Sequence, residues 1–508
     1  MYLLLALVAA VQQPASGPTA FGSDSIVFRV LAINDFHGAL EPRVWPWSQG
    51  RPVGGAAALK PWLDSLGREC GCPGLRLDAG DEMQGTPVSN LSFGRPAIAA
   101  LNALGIDAAA VGNHEFDWSI DTLRARIAQA RYPFLAANIS DAGRSTAPAW
   151  ARPFAVVERG GVRVAIIGLA LPETPQTTAP DNVRSLVFGD GAAAVRRVLP
   201  QARAAASYVI IVAHVGAFCD RDGGCRGEII DLARALDSGS VDLIVSGHTH
   251  SLVNTVVNGI AIVQARSSGG GIAVVDFVRA GGRRSVRTRI ETPFADQVRP
   301  DSGLAAALGN AAAAIAPLTE RPVASIATNL RRGGDEYGLG RLIADAQRSV
   351  AGADVAIVNN GGIRADLGAG TATWGDLFRV EPFQNRLVKL SVTGTVLKQA
   401  LEHAVAGDRP DAHLAGVAVW YDRRFPAGRR ITRLRLGDGR GVDDAGTYTL
   451  AVSDFLAAGG SGYAMLRAAT PTDLGLTDLD ALIRYLAGLQ QPVQAPGDER
   501  LHSESGNP

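Results

Sequence analysis

The chain is punctuated by short stretches that are apolar at nearly every position, set between longer stretches with helical spacing. Residues 208–213 read Tyr-Val-Ile-Ile-Val-Ala and residues 241–246 read Val-Asp-Leu-Ile-Val-Ser. Runs with little polar alternation suit strands buried on both faces. Residues 25–33, 75–78, 107–111, 134–139 and 162–169 are predicted strands, and residues 255–278 carry more, at 259–264 and 271–275. Helical spacing covers residues 54–66, 96–104, 119–130 and 190–206. The pattern then changes: residues 291–318 are alanine-rich and helix-prone, and form the candidate linker between two domains. A second domain is expected to begin near Arg321, with a helix over 339–350 and strands over 354–358, 386–392 and 448–452. Thr373-Trp374-Gly375-Asp376 opens another helix in it. From Gln490 the chain is polar and reads as a disordered tail.

The length of 508 residues is too great for one core, which agrees with two or three domains. Acidic and basic residues balance at 49 each, so nothing marks a partner that is a nucleic-acid polymer, while a small nucleotide remains compatible. The first ten residues, Met-Tyr-Leu-Leu-Leu-Ala-Leu-Val-Ala-Ala, are too short to span a bilayer. They resemble the apolar core of a signal peptide, with Val8-Ala9-Ala10 as a small-residue cleavage site, and predict export. No later stretch is expected to form a membrane helix. Cys70, Cys72, Cys219 and Cys225 predict two disulfides in an exported protein, with three pairings open. A zinc site built from all four thiolates has poor spacing.

Chemistry gathers where the predicted strands end. Gly112-Asn113-His114-Glu115-Phe116-Asp117 follows a small apolar strand. Gly112 permits a tight turn there, and Asn113 offers an oxygen ligand. His114 is a general acid or base, with Asp117 three residues on to hold its tautomer. Asp35 and His37 lie just past the first strand, Asp81 past the second, His214 at the end of residues 208–213, and His248 and His250 past residues 241–246. Open α/β sheets place their sites at such strand ends. Asp78 lies within its strand and reads as a brace, so Asp81 is the preferred ligand. Taken singly, each motif is equally an N-cap, a solvated turn or a buried histidine. Together, Asp35, His37, Asp81, Asn113, His214, His248 and His250 suffice for two metals sharing one carboxylate. The absence of thiolate ligands points away from structural zinc and toward metal-assisted hydrolysis.

In the second domain, Asn359-Asn360-Gly361-Gly362-Ile363-Arg364 pairs a backbone that a ligand can approach with a bidentate anion donor. On residue type alone, Phe383 and Phe455 read as core packing.

The motif order Asn-Asp-x-His-Gly, Gly-Asp, Gly-Asn-His-Glu-x-Asp, His-x-Gly, Gly-His-Thr-His resembles the calcineurin-like dinuclear metallophosphoesterases. Asn-Asn-Gly-Gly-Ile-Arg, Glu-Pro-Phe-Gln-Asn and Phe-Leu-Ala-Ala-Gly-Gly resemble the C-terminal domain of bacterial 5′-nucleotidases. Together they cover roughly residues 26–486 and point to the 5′-nucleotidase and periplasmic UDP-sugar hydrolase family. The resemblance implies an α/β fold: a four-layer α/β/β/α metallophosphoesterase sandwich followed by a second α/β domain. The divisions it implies are a signal peptide and leader over 1–24, the metallophosphoesterase domain over 25–295, a linker helix over 296–318, the substrate-binding domain over 319–490 and a tail over 491–508.

By the same resemblance Asp35, His37 and His250 hold one divalent metal and Asn113, His214 and His248 another, with Asp81 bridging. Zinc, manganese, iron and cobalt all suit such ligands. The metals bind phosphate oxygens and lower the pKa of a bridging water, whose hydroxide attacks phosphorus. His114 protonates the leaving alkoxide and Asp117 orients the imidazole. Asn359 and Arg364 contact substrate, and Phe383 and Phe455 stack on the base, which reverses the core-packing reading. Two departures stand out. Ser461 occupies a turn position where nucleotide-hydrolysing relatives often carry an aspartate that binds ribose. The phosphate-contacting arginine expected ahead of the helix at Leu339 aligns only loosely with Arg331 or Arg332. The implied function is an exported, monomeric hydrolase of nucleoside 5′-monophosphates, periplasmic or extracellular, with no stable membrane insertion. Alternatives are a 2′,3′-cyclic-nucleotide phosphodiesterase, a UDP-sugar hydrolase, or a binding protein with a degenerate site.

Overall fold

The computed structural model describes residues 24–144, 146–220 and 222–504. Apart from residue 24, the expected signal peptide and leader lie outside the described residues. Two six-stranded sheets make the first part of the chain. One runs, in spatial order, Arg283–Glu291, Ile272–Ala280, Asp24–Ile33, Gly74–Asp78, Ala108–Ala110 and Phe134–Leu135. The other runs Leu252–Val257, Ile260–Ala265, Leu243–Ser246, Tyr208–Ala213, Val162–Leu169 and Phe154–Arg159. In the first, Asp24–Ile33, Gly74–Asp78, Ala108–Ala110 and Phe134–Leu135 are mutually parallel; in the second, the four strands from Ile260–Ala265 to Val162–Leu169 are. Their carboxyl ends therefore open on a common edge of each sheet.

The continuous apolar runs follow from this layering. In Asp24–Ile33, Val30 and Ala32 pack toward the opposing sheet, while Leu31 and Ile33 pack with Leu59, Leu63, Ile98 and Leu101 of helices Ala56–Arg68 and Arg95–Leu104. In Tyr208–Ala213 every residue is buried: Ile210 and Val212 face the first sheet, and Val209 and Ile211 meet Val195, Val198, Ile229 and Ile230 of helices Gly191–Ala205 and Glu228–Ala235. Both faces of both sheets are covered, which produces the four layers α/β/β/α.

The second part is a five-stranded mixed sheet in the order Ala412–Ala415, Val355–Asn359, Thr447–Ser453, Arg386–Thr393 and Thr472–Thr477. Helices Gly338–Ala351 and Asp478–Gly488 cover one face, and Gly394–Ala404 covers the other. Helix Trp374–Val380 begins at a capping box between Thr373 and Asp376.

Three expectations are corrected. Residues 134–139 are not one strand: Phe134–Leu135 ends in the first sheet, the Ala137 N–H crosses to Gly168 O at 2.7 Å, and Ile139–Asp141 pairs with Leu186–Phe188. Helix Ser302–Thr319 does reach the length and apolarity of a membrane span. Its apolarity comes largely from small alanines, and it packs on Ala56–Arg68, Arg95–Leu104 and Trp374–Val380, joining the two parts. Residues 490–504 are ordered rather than a disordered tail. Leu501–Ser503 adds as a parallel strand beside Val417–Tyr421, Val493 is buried, and the Arg500 guanidinium bonds both Asp345 oxygens at 2.7 and 2.9 Å and Leu414 O at 2.7 Å. Polar composition misleads there because its polar groups find partners inside the fold. The disulfides are Cys70–Cys72 and Cys219–Cys225.

Candidate active site

The seven candidate ligands all follow parallel strands whose carboxyl ends face each other across the two sheets. Asp35 and His37 come from the first sheet after Ile33, Asp81 after Asp78 and Asn113 after Ala110; His214 follows Ala213, and His248 and His250 follow Ser246 of the second. The loops are stitched by backbone bonds: Asp35 N–H to Gly80 O and His37 N–H to Asp81 O, both 2.9 Å. Asp35, His37, Asp81, His248 and His250 hold φ between 50° and 76°, a left-handed region few non-glycine residues occupy. Strain of that kind persists where surrounding structure over-determines it, and it collects at functional sites.

Asp35, His37 and His250 bring donor atoms within 4.8 Å of one another, and so do Asp35, Asp81 and His214. Asp35 is thus common to both groups. Asp81 also lies between them, with Oδ2 3.7 Å from His37 Nε2 and 3.1 Å from His214 Nε2. Asn113 joins the second group, its Oδ1 3.0 Å from His214 Nε2. His248 stands further out, its ring 5.2 Å from the His214 ring, and its backbone N–H donates to both Asp35 oxygens.

The donor set fits divalent metals on a specific ground. His37 Nδ1 donates to Gln84 O at 2.7 Å and His214 Nδ1 donates to Ala79 O at 2.9 Å. Each bond leaves Nε2 as the bare nitrogen. Yet His37 Nε2 points at His250 Nε2 at 3.0 Å, and His214 Nε2 points at Asp81 Oδ2 and Asn113 Oδ1. Such close contacts between acceptors need a proton or a cation between them, and a divalent ion could serve several at once. Charge states agree with this. Burial and the His250 charge hold His37 well below the usual imidazole range, and burial and then His214 push His248 down to about 3. Burial opposes ionisation of Asp35, but the charge and hydrogen bond of His250 and the charge of His214 together outweigh it and bring the carboxyl to about 2. Neutral imidazoles and ionised carboxylates are the forms that bind metal. For His214, burial is outweighed by the charges of Asp81 and Asp35, which raise it to about 10; its proton would occupy the place a metal takes.

His114 Nδ1 donates to Asp117 Oδ2 at 2.8 Å, and Asp117 Oδ1 accepts from Thr178 Oγ1 at 2.9 Å. Burial lowers the His114 pKa, but Asp117 and Asp81 together raise it above the ordinary value. The imidazole thereby keeps a proton to give, with Nε2 toward the cluster, 4.0 Å from Asp81 Oδ2.

The second part of the chain closes the site. Arg364 Nη2 donates to His37 Nε2 at 3.3 Å, and Asn90 Nδ2 donates to Pro382 O at 2.9 Å. The Phe383 ring stacks on His114, centroids 5.2 Å apart. Asn359 Nδ2 donates to Ser461 Oγ at 3.2 Å. A cavity of about 210 Å³ is lined by Asn113, His114, Asp117 and His248 from the first part and by Asn359, Arg364, Phe383, Phe455 and Ser461 from the second. Of the two loosely aligned arginines, Arg332 donates to Ile363 O at 2.8 Å and lines a neighbouring cavity.

Sequence reasoning missed two residues. Glu115 accepts backbone N–H bonds from Gly112 (2.7 Å), Asp81 (2.9 Å) and Glu82 (2.8 Å), tying the two ligand loops together. Asn34 donates to Asp35 Oδ2 at 2.6 Å and accepts from Ala265 N at 2.7 Å, joining the two sheets. Their presence inside otherwise assigned motifs was the available signal. Gly112 is needed for closeness rather than for an unusual turn: a Cβ there would collide with Asp81 Oδ1 and Glu115 Oε2.

The 5′-nucleotidase C-terminal domain family matches residues 314–468, and the bacterial capsule synthesis protein PGA_cap family matches residues 77–264. Protein UshA of Salmonella pullorum is 30% identical over 514 residues, 91% of this chain and 90% of that protein. The chain belongs to the 5′-nucleotidase and UshA family. It is a hydrolase of phosphoric esters with the two-domain calcineurin-like fold. The crystal structure of a 5′-nucleotidase precursor from Thermus thermophilus superposes with a TM-score of 0.85 at 27% identity, covering 95% of this chain and all of that one. Endonuclease YhcR of Bacillus subtilis is 29% identical over 94% of this chain, but the match spans only 41% of its own length.

Proposed function

We propose that this member of the 5′-nucleotidase and UshA family hydrolyses nucleoside 5′-monophosphates to nucleoside and phosphate, outside the cytoplasm, with two divalent metals at the strand-end cluster. The observation that carries the reading is one cavity joining the His114–Asp117 pair to Asn359, Arg364, Phe383, Phe455 and Ser461. Both disulfides support an oxidising compartment.

Asp35, His37, Asp81, Asn113, His214, His248 and His250 would hold the metals, which as Lewis acids would polarise the phosphoryl group and acidify water. The rest is the work of side chains. Arg364 neutralises charge on the phosphate oxygens. Water adds to phosphorus, the phosphorus–ester oxygen bond breaks, and His114 gives its Nε2 proton to the departing alkoxide. Asp117 holds Nδ1, fixing the tautomer and supporting the charged ring. Phe455 and Phe383 offer ring faces to a base, Phe383 doing so from its stack on His114.

The test is product release from AMP, 2′,3′-cyclic AMP and a UDP-sugar, followed by chromatography because hydrolysis of the latter two frees no inorganic phosphate, with metal content measured by elemental analysis on the same preparation. Release from AMP at kcat/KM well above the other two, with two metals per chain, is the expected result. A preference for the cyclic nucleotide or the UDP-sugar would refute the substrate assignment; one metal per chain would refute the dinuclear site.

A further inference from the structure

The His114–Asp117 pair is held by residues outside its own motif. Helix Thr174–Thr177 and the two residues after it follow strand Val162–Leu169, and Thr177, Thr178 and Ala179 line the cavity of about 210 Å³. The segment is pinned at its start. Thr174 is fully buried, its Oγ1 donates to Leu171 O at 2.7 Å, and its carbonyl accepts the Thr178 N–H at 3.1 Å. The helix also packs on the turn Gly460–Gly462 of the second part, which carries Ser461.

Two bonds tie this segment to the reaction centre. Asn113 Nδ2 donates to Thr177 O at 3.2 Å. That bond fixes which way the amide faces, and leaves Oδ1 as the atom turned toward His214 Nε2. One residue on, Thr178 Oγ1 donates to Asp117 Oδ1 at 2.9 Å, while His114 Nδ1 donates to Asp117 Oδ2 at 2.8 Å. Each oxygen of the carboxylate is thus held by a separate donor. The Cβ–Cγ torsion of an aspartate is soft, so a carboxylate gripped at one oxygen can turn; gripped at both, it turns only by losing a bond. Asn182 Nδ2 donates to Phe116 O at 2.9 Å and Asp117 O at 3.0 Å, which fixes the Asp117 backbone as well. Thr178 is buried, and a hydroxyl bonded to a carboxylate there holds more strongly than it would in water.

We infer that Thr178 is a positioning residue for the hydrolysis, acting through Asp117 on His114. Its hydroxyl sets the Asp117 carboxylate, the carboxylate sets the plane of the imidazole, and Nε2 is thereby aimed at the cluster. Thr178 itself exchanges no proton. What His114 does in the step rests on the proposed function; that Thr178 acts through His114 does not.

The test is a double-mutant cycle on full-length, metal-loaded protein. kcat and KM are measured on AMP, phenyl phosphate and p-nitrophenyl phosphate for wild type, Thr178→Val, Thr178→Ser, His114→Asn and the pair His114→Asn with Thr178→Val. Thr178→Val keeps the shape and removes the donor; Thr178→Ala, which removes the same hydroxyl, replaces it should that variant not fold. On AMP and phenyl phosphate, Thr178→Val is expected to lower kcat about 10–100-fold, the worth of one bond to a charged group, with KM within about twofold of wild type. Thr178→Ser should recover most of the rate, and Thr178→Val should cost nothing further in the His114→Asn background. A hydroxyl that only stabilised the fold would slow both backgrounds alike. Equal losses in the two backgrounds, or a Thr178→Ser variant as slow as Thr178→Val, overturns the inference. If His114→Asn loses equally on phenyl and p-nitrophenyl phosphate, proton donation by His114 fails, while the cycle still decides the role of Thr178. If AMP is not turned over, the proposed function fails and phenyl phosphate carries the cycle.

Discussion

Glu115 makes the sharpest test of how the site is held. Its carboxylate accepts from the backbone N–H groups of Gly112, Asp81 and Glu82 at 2.7–2.9 Å, fully buried, and so sets where the Asp81 side chain can go. Glu115→Gln preserves shape but replaces one acceptor oxygen with an NH₂ group. At least one of the three amides then faces a donor. A buried donor left without an acceptor is destabilising by about 1–3 kcal/mol. Burial and the Asp81 charge already raise Glu115 to about 7, so a neutral side chain at this place is close to what the metal-free protein tolerates. The fold is therefore expected to survive, with the larger loss in metal binding. Removing a support behind a ligand lowers metal affinity by about 10–100-fold. The assay is competition against a coloured chelator, paired with thermal unfolding of the metal-free protein. Wild-type metal affinity in Glu115→Gln would show that Asp81 holds its place without this support, and the reasoning would fail.

The remaining predictions concern chemistry, recognition and pH. His114→Asn should retain metals but slow AMP hydrolysis by about 10²–10⁴-fold, with a smaller loss on p-nitrophenyl phosphate, whose leaving group hardly needs a proton; equal losses on both would contradict proton donation. Ser461 sits at φ 49°, a conformation aspartate adopts readily, so Ser461→Asp should fold and lower KM for AMP while leaving 2′-deoxy-AMP unchanged; equal KM shifts would mean another residue reads the ribose. Buried Asp478 is pushed up to about 7 by burial, so the folded state binds the extra proton and stability falls as pH rises from about 4 to 7. Asp478→Asn should remove that contribution: the difference in Tm, wild type minus variant, should shrink or turn negative across the window, and a constant difference would refute the assignment.

The gathering of the candidate site residues was largely legible before the fold. Strand ends, ligand types and their order were written locally: an apolar run followed within a few residues by Asp35 and His37, by Asp81, by Asn113 and His114, or by His214 reports both element and donor. The continuous apolarity of residues 208–213 stated burial on both faces, because a strand between two layers has no solvent side. What single motifs lacked was a reason to choose metal over turn or core, and only their combination and the family resemblance supplied one.

Tertiary structure decided the rest, because it depends on groups far apart in sequence. Glu115 and Asn34 matter through bonds to backbone, which carries no residue signature. Gly112 is set by what lies against it across the loop, not by its own dihedral angles. The polar stretch after residue 490 is ordered because Asp345 and an open edge beside Val417–Tyr421 await it, and composition cannot report partners. The neighbouring cavity is the extreme case: the Arg43, Arg332, Arg364 and Arg379 that line it come from both parts of the chain and only the closed fold brings them together. Local physics wrote which atoms could do the chemistry; packing determined which of them meet.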